Sequence, residues 1–256
     1  MDLSHDNPQR VVITGGASGI GLATAQAFLD EGAHVGIISR SRQSLDTAMQ
    51  GPLSKYQDGR CHGIVADVTD ETAMANAFKE FDTLLQGIST VVASAGIEGE
   101  MGNAVQDVTS RDFLRVLEVN VLGVFHAVKH ALPFLAEERH ASITIIGSDS
   151  GFVAAPGMLA YNASKGALVQ LTRALSFELF ESHRIRVNSV CPSIVDTPMA
   201  RRGLGIDSFD DVEFPVNTPR DIARTVLFLS GEGSRAINGT NILSDFGYSA
   251  RSSFPA

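Results

Sequence analysis

RVVITGGASGIGLATAQAFLDEGA, Arg10 to Ala33, is the stretch that decides the fold. A short apolar, β-branched run leads into a glycine turn, Thr14 to Gly21, and the turn passes directly into a segment with helical periodicity. Gly32 follows where a left-handed helix C-cap sits. Strand, glycines and helix in this order suit the binding of a pyrophosphate at a helix N-terminus. Such a group needs unencumbered backbone N–H groups, and glycine permits the tight turn and the close approach. Gly15, Gly19 and Gly21 meet that need, with Ser18 and Ile20 between them. The spacing is GxxxGxG and not the general GxGxxG, so the turn by itself leaves open another nucleotide or a purely structural role.

Outward from this unit the pattern repeats. Arg10 to Thr14, His34 to Ser39, Cys61 to Ala66, Thr90 to Ala93, Ser142 to Gly147, Ile185 to Cys191 and Asn241 to Asp245 read as strands. Helical periodicity falls at 19 to 31, 42 to 50, 70 to 85, 110 to 136, 158 to 181 and 219 to 230. Alternation of this kind predicts an α/β, Rossmann-like, doubly wound parallel sheet of about seven strands with helices on both faces. Thr218, Pro219 and Asp221 open the last helix as an N-cap, a first-turn proline and an acid at the positive end of the dipole. No repeat, low-complexity stretch or linker divides the chain, so residues 1–256 are expected to form one domain behind a tail at 1–9.

Composition narrows the function. The 256 residues are 44% hydrophobic and 19% charged, enough for a sizeable core without a disorder bias. Twenty-nine acids against twenty bases give a net charge of −9, which offers no footprint for nucleic acid or anionic lipid. The N-terminus lacks a basic-then-apolar leader, and no run reaches the ~18 apolar residues of a membrane span. A cytoplasmic protein with no membrane or nucleic-acid partner is the expectation. Cys61 and Cys191 lie in strand-like segments and read as small buried hydrophobes of a reducing compartment. His126 and His130 have a helical spacing that could hold a metal, but no Glu or third ligand completes a site, so no metal is expected.

The second strand ends at Ser39 and Arg40, with Arg42 close behind. An acid there would hold the ribose 2′-OH of NAD, whereas a basic residue accommodates the 2′-phosphate of NADP. NADP(H) is therefore favoured over NAD(H), unless Arg40 is merely solvated. Farther on, Tyr161 and Lys165 in YNASK share one helix face. A free phenol titrates near ~10, and a neighbouring ammonium favours the phenolate, so Tyr161 is expected to be made acidic enough to trade a proton. Thirteen positions earlier (161 − 148), Ser148 ends an apolar strand in ITIIGSDSG, where it can bond a reacting oxygen.

With these motifs the chain resembles the short-chain dehydrogenases/reductases across nearly its whole length. The resemblance implies TGGASGIG as cofactor turn, Asp67 and Val68 in ADVTD as adenine contacts, and Asn120 in EVNVLG as a fourth catalytic residue beside Ser148, Tyr161 and Lys165. Tyr161 would exchange the proton, Lys165 lower its pKa and hold the nicotinamide ribose, Asn120 anchor a relay water, and Ser148 orient the substrate carbonyl. Val195 and Thr197 in CPSIVDTPM match the segment that grips the carboxamide. The implied substrate is a small alcohol or ketone bound at Ser148 and Tyr161. A dinucleotide-sensing regulator would not need Ser148, Tyr161 and Lys165 together, and a methyltransferase would gain nothing from Ser39 and Arg40 or from the Tyr161–Lys165 pair.

Three positions depart from the family pattern. Asn-Asn-Ala-Gly appears as Ala93, Ser94, Ala95, Gly96, Pro-Gly as Pro192, Ser193, and Asp-Gly-Gly as Asp245, Phe246, Gly247. Ser94 can replace only part of a lost amide, and a backbone angle reserved for glycine must be tolerated or avoided at 193. Residues 198–214 are expected to be a mobile substrate lid. Asp149, Glu98 and Glu100 either put acids at the pocket mouth, favouring a polar or amine-bearing substrate, or are solvated loop acids. The resemblance also implies a homo-oligomer, tetramer or dimer, built on helices 110 to 136 and 158 to 181. Their Val121, Leu122, Phe125, Leu168, Leu171 and Leu175 could equally be core.

Overall fold

The alternating segments build one parallel sheet in the computed structural model, which describes residues 8–56 and 59–251. Residues 1–7 of the expected tail lie outside the described residues. The strands are β1 (Arg10–Thr14), β2 (His34–Ser39), β3 (Cys61–Val65), β4 (Thr90–Ala93), β5 (Ser142–Ile146), β6 (Arg186–Pro192) and β7 (Asn241–Ser244). Their order is β3-β2-β1-β4-β5-β6-β7, with every pairing parallel. The chain winds outward from β1 to β3, returns to the other side of β1 as β4, and continues to β7. That reversal opens a crevice at the carboxyl ends of β1 and β4, where α/β sheets bind ligands.

The strands carry nearly continuous apolar runs because both faces are covered. Along β1 the alternation sorts side chains into two cores. Val11 and Ile13 join Phe28, Leu29, Ile37, Ile222 and Val226 on one face. Val12 joins Phe78, Phe81, Val91 and Leu168 on the other. Helices α1 (Gly19–Asp30), α2 (Arg42–Gln50) and α8 (Pro219–Ser230) cover the first face. Helices α3 (Glu71–Leu85), α5 (Gly123–Leu135) and α6 (Leu159–His183) cover the second. Phe28, Phe78 and Phe81 are fully buried, and truncating any one to Ala would cost about 3–5 kcal/mol.

Two expectations are corrected. The helix read over 110 to 136 is three pieces: α4 (Ser110–Leu117), a π-helical turn at Glu118–Leu122, and α5. In the π-helical turn the Gly123 N–H reaches back five residues to the Glu118 carbonyl. The second concerns the helices, among which the sequence reading lacked α7 (Pro198–Leu204), inside the segment expected as a lid. Thr197 Oγ1 accepts from the Ala200 N–H at 3.2 Å, Pro198 is preset for the first turn, and Gly205 closes the helix at φ 66°. The Thr-Pro opening legible at 218–219 recurs at 197–198. At 218–219 it forms a full capping box, in which Thr218 and Asp221 each bond the other's backbone N–H.

Gly32 adopts φ 85° after α1, and both cysteines are buried. His126 and His130 do meet a carboxylate, that of Glu71 on α3, contrary to expectation, but Lys129 already pairs with it. Among the described residues no group of three His, Cys, Asp or Glu side chains is arranged to hold a metal. None of the described helices is long and apolar enough to cross a membrane.

Candidate active site

The glycine turn owes its composition to contacts made from both sides. A Cβ on Gly15, which sits at φ 68°, would fall 2.9 Å from the backbone of Ala95 beyond β4. One on Gly21 would fall 2.3 Å from the Gly15 carbonyl oxygen. Both positions exclude any side chain, because real carbons do not approach so closely. Ser18 precedes α1 in an extended conformation and makes no side-chain capping bond, and the first turn carries no acid. The N–H groups of Gly19, Ile20 and Gly21 therefore open α1 without a side-chain partner, at the positive end of its dipole. Thr197 closes over the turn from the far side of the crevice, its Cγ2 3.3 Å from where a Cβ on Gly19 would lie.

At the end of β2, Arg40 is 68% exposed, and its guanidinium stands 4.0 Å from Asp67. Asp67 also accepts from the Thr69 N–H and hydroxyl. The Ser39 hydroxyl is engaged locally, with the backbone of Ser41. Val68 is buried, and its carbonyl receives a bond from His126 Nδ1 at 2.9 Å.

The strand tips and α6 bring the expected catalytic group together. Ser148 follows β5, Tyr161 and Lys165 lie in the first two turns of α6, and Asn120 lies in the π-helical turn. Asn120 is almost wholly buried. Its Oδ1 accepts from the Ile97 N–H (2.8 Å) and its Nδ2 donates to the Ile97 carbonyl (2.9 Å) and to Ser164 Oγ (2.9 Å). Ser164 in turn donates to the Tyr161 carbonyl at 2.7 Å. This chain of bonds clamps the loop after β4 to α6. Ser164, inside YNASK, was not singled out from the sequence. Its spacing from Tyr161, i to i+3, was the available signal.

The electrostatics differ from expectation. Lys165 Nζ lies 5.4 Å over the Tyr161 ring and donates to the Ile146 carbonyl at 3.0 Å. Desolvation of the hydroxyl pushes the Tyr161 phenol up to about 12, opposed by the Ser148 hydroxyl and reinforced by Asp149, Glu98 and Cys191. Burial likewise brings Lys165 down to about 8. The expected acidification of the phenol by Lys165 is thus reversed in this arrangement, because burial of the hydroxyl dominates, the nearby acids add to it, and the ammonium faces a carbonyl.

Cys191 belongs to this cluster, although its sequence context suggested only a small buried hydrophobe. The β5–β6 register, Ile146 opposite Val190, sets Cys191 beside Gly147, where a Cβ would lie 2.6 Å from its Sγ. Burial pushes the Cys191 thiol up. Of the three acids, Asp149 takes a bond from Ser148 Oγ at 3.1 Å, and Glu98 lies 3.6 Å from Arg202 of α7. Glu100 is exposed and accepts from Asn103, so it stands apart. Segment 198–214 is pinned at its base, where Arg201 makes two bonds to the Asp196 carboxylate (2.7 and 2.9 Å) and one to the Asp207 carbonyl.

The three departures resolve differently. The amide missing at 94 is compensated from β1, since Thr14 Oγ1 accepts from the Ser94 and Ala95 N–H groups at 3.1 and 3.2 Å. Ser193 avoids the left-handed region, and its Oγ accepts from Asn217. Phe246 does not avoid it, standing at φ 54° with 59% of its surface exposed. Bulky residues rarely adopt this conformation.

Residues 15–249 match the family described as enoyl-(acyl carrier protein) reductase. The chain is 35% identical to 2-(S)-hydroxypropyl-CoM dehydrogenase 3 of Xanthobacter autotrophicus, over 94% of this chain and 96% of that one. Two solved structures share its architecture at 26% identity. ElxO with NADP bound superposes with a TM-score of 0.86, over 96% of this chain and 100% of that one. The 3-ketoacyl-(acyl-carrier-protein) reductase of Brucella melitensis complexed with NADH superposes with a TM-score of 0.85, over 97% of this chain and 100% of that one.

Proposed function

This chain belongs to the short-chain dehydrogenase/reductase family of oxidoreductases, and from that premise we propose that it moves a hydride between NADP(H) and the reacting carbon of a secondary alcohol or ketone, with Tyr161 exchanging the proton at oxygen. The observation that carries the reading is the convergence of Tyr161, Lys165, Ser148 and the Asn120 clamp at the strand tips beside the glycine cradle.

The cradle fits a dinucleotide, since the turn packs against Ala95 and against itself with no room for a side chain at Gly15 or Gly21, and the opening of α1 lacks a side-chain cap. Gly15, Ser18, Gly19, Ile20 and Gly21 would hold the pyrophosphate, Ser39 and Arg40 the adenosine ribose, and Asp67 and Val68 the adenine. Ser94, Ala95, Gly96, Val195, Thr197, Tyr161 and Lys165 would hold the nicotinamide half. When bound, a reduced nicotinamide supplies the hydride. Arg40 favours NADP(H) over NAD(H): its contact with Asp67 is long and exposed, hence weak, and leaves the guanidinium available to a 2′-phosphate.

A phenol held near 12 is fully protonated around neutrality, so Tyr161 is ready to give its proton to a developing alkoxide. Ser148 stabilises that oxygen by donating a hydrogen bond. Lys165, near 8, exchanges its own proton in the neutral range and can replenish the site. Exposed Leu122 and Phe125 favour self-association into a dimer or tetramer, whereas Leu168, Leu171 and Leu175 pack in the core.

Tyr161→Phe tests the assignment. Turnover of a ketone panel with NADPH should fall ~10²–10⁴-fold while cofactor binding, followed by fluorescence, persists. Near-normal turnover in the variant would refute it, and a wild type that binds the cofactor yet oxidises none of it would favour a dinucleotide sensor.

A further inference from the structure

Ser148 has one hydroxyl proton, directed at Asp149 with the Tyr161 hydroxyl also beside it. Its Oγ accepts from the Ser150 N–H at 3.1 Å and donates to Asp149 Oδ1 at 3.1 Å. The same proton is the one a reacting oxygen would need from Ser148. An ionised Asp149 therefore competes with the substrate for it, and a charge-assisted bond of this kind is the stronger type.

Asp149 is half-buried in a short turn whose carbonyl accepts from the Phe152 and Val153 N–H groups, which fixes the carboxylate beside the cleft. The titratable groups around it are Tyr161 and Lys165 on α6, Cys191 on β6, Asp245 beyond β7, and Glu98 beyond β4. Glu98 is paired with Arg202, and Lys165 with the Ile146 carbonyl. Among the described residues no cation lies within ion-pair distance of Asp149.

We propose that Asp149 determines the substrate class: it holds the Ser148 proton until a substrate presents a hydroxyl on the carbon next to the reacting one, and it then accepts that hydroxyl and releases Ser148 to the reacting oxygen. The preferred substrates are α-hydroxy ketones and the matching vicinal diols. Their two oxygens stand about one hydrogen-bond length apart, the span that separates Ser148 Oγ from Asp149 Oδ1. A ketone without the hydroxyl leaves the carboxylate on Ser148 and loses that stabilisation. Acid releases Ser148 by the other route, since burial, joined by Asp245, raises the Asp149 carboxyl and brings its protonation closer to neutrality.

This inference rests on the hydride-transfer reading above, and matched ketone pairs separate the two. We would measure kcat and KM for acetoin against 2-butanone, and for 2-hydroxycyclohexanone against cyclohexanone, in wild type, Asp149→Asn and Asp149→Ala, with cofactor binding and melting temperature as fold controls. Wild type should prefer the hydroxy ketone, and both variants should lower that preference at least tenfold. The loss should divide into a higher KM for the hydroxy ketone and a higher kcat for the plain one. In wild type kcat/KM for the plain ketone should climb as pH falls through the Asp149 range, and the variants should flatten that climb. If Asp149→Ala does not fold, Asp149→Asn decides. An unchanged preference, an unchanged pH profile, or no reduction of either pair by wild type overturns the inference. In the last case Tyr161-dependent turnover of other ketones tells whether the hydride-transfer reading survives.

Discussion

Replacing Lys165 by Met should destroy activity yet leave the protein as stable as before, or more stable, at neutral pH. The ammonium is 6% exposed, and burial brings it from the usual 10.5 to about 8. At 1.36 kcal/mol per pH unit, that fall (10.5 − 8) means keeping Lys165 charged costs about 3 kcal/mol of folding free energy near pH 7. Met removes the cost and fills similar volume, but it leaves the Ile146 carbonyl without its donor, a loss of about 1–3 kcal/mol. The net change near pH 7 is then a gain of about 0–2 kcal/mol, or a melting temperature up to several degrees higher at roughly 2–4 °C per kcal/mol for a chain of this size. The sign with pH follows from linkage. A lowered folded-state pKa for a base means the unfolded chain binds more protons between about 8 and 10.5, so wild-type stability rises with pH across that window. Urea unfolding of wild type and Lys165→Met at pH 7 and 9.5 isolates the contribution, because Tyr161 and Cys191 are common to both. The difference between the two proteins should move by about 2 kcal/mol in favour of wild type as the pH is raised. A variant less stable than wild type by several kcal/mol at pH 7, or a difference that ignores pH, would refute the reasoning.

Three further outcomes are expected. Arg40→Asp should lower the ratio of kcat/KM for NADPH over NADH by about tenfold or more, the worth of one charge-assisted bond, and steady-state kinetics with both cofactors checks it. Phe246→Gly should stabilise the fold by about 0.5–1 kcal/mol. Relief of a left-handed non-glycine residue, worth about 1–2 kcal/mol, exceeds the added unfolded-state entropy, and the side chain buries little; thermal melting reads the result. Phe125→Glu, placed where 42% of the ring is open, should shift the mass seen by light scattering toward monomer without lowering the melting temperature of the fold.

The limits of sequence reading show at particular residues. Strand ends at Arg10, Thr14, His34, Ser39, Thr90 and Ala93 were legible because apolar runs bounded by glycine or polar residues are a local signal. The α7 helix carried a local signal too, Thr197-Pro198 closed by Gly205, which the expectation of a lid over 198–214 did not use. The π-helical turn at Asn120 had no such signal. Asn120 there bonds Ile97, 23 residues away, a partner that only the packed loop supplies.

By itself the sequence determined the order of strands and helices, the glycine cradle, and the sharing of one helix face by Tyr161 and Lys165, because each depends on neighbours within about one turn or one strand. Tertiary structure decided the chemistry of that face. Parallel register set Cys191 beside Gly147, and the packing of α6 on β5 gave the Lys165 proton to the Ile146 carbonyl. Burial of its hydroxyl, reinforced by Asp149 and Glu98, turned a phenol expected to be acidic into one near 12. Desolvation and charge act through space, so their sign at Tyr161 exists only once the chain has closed around it.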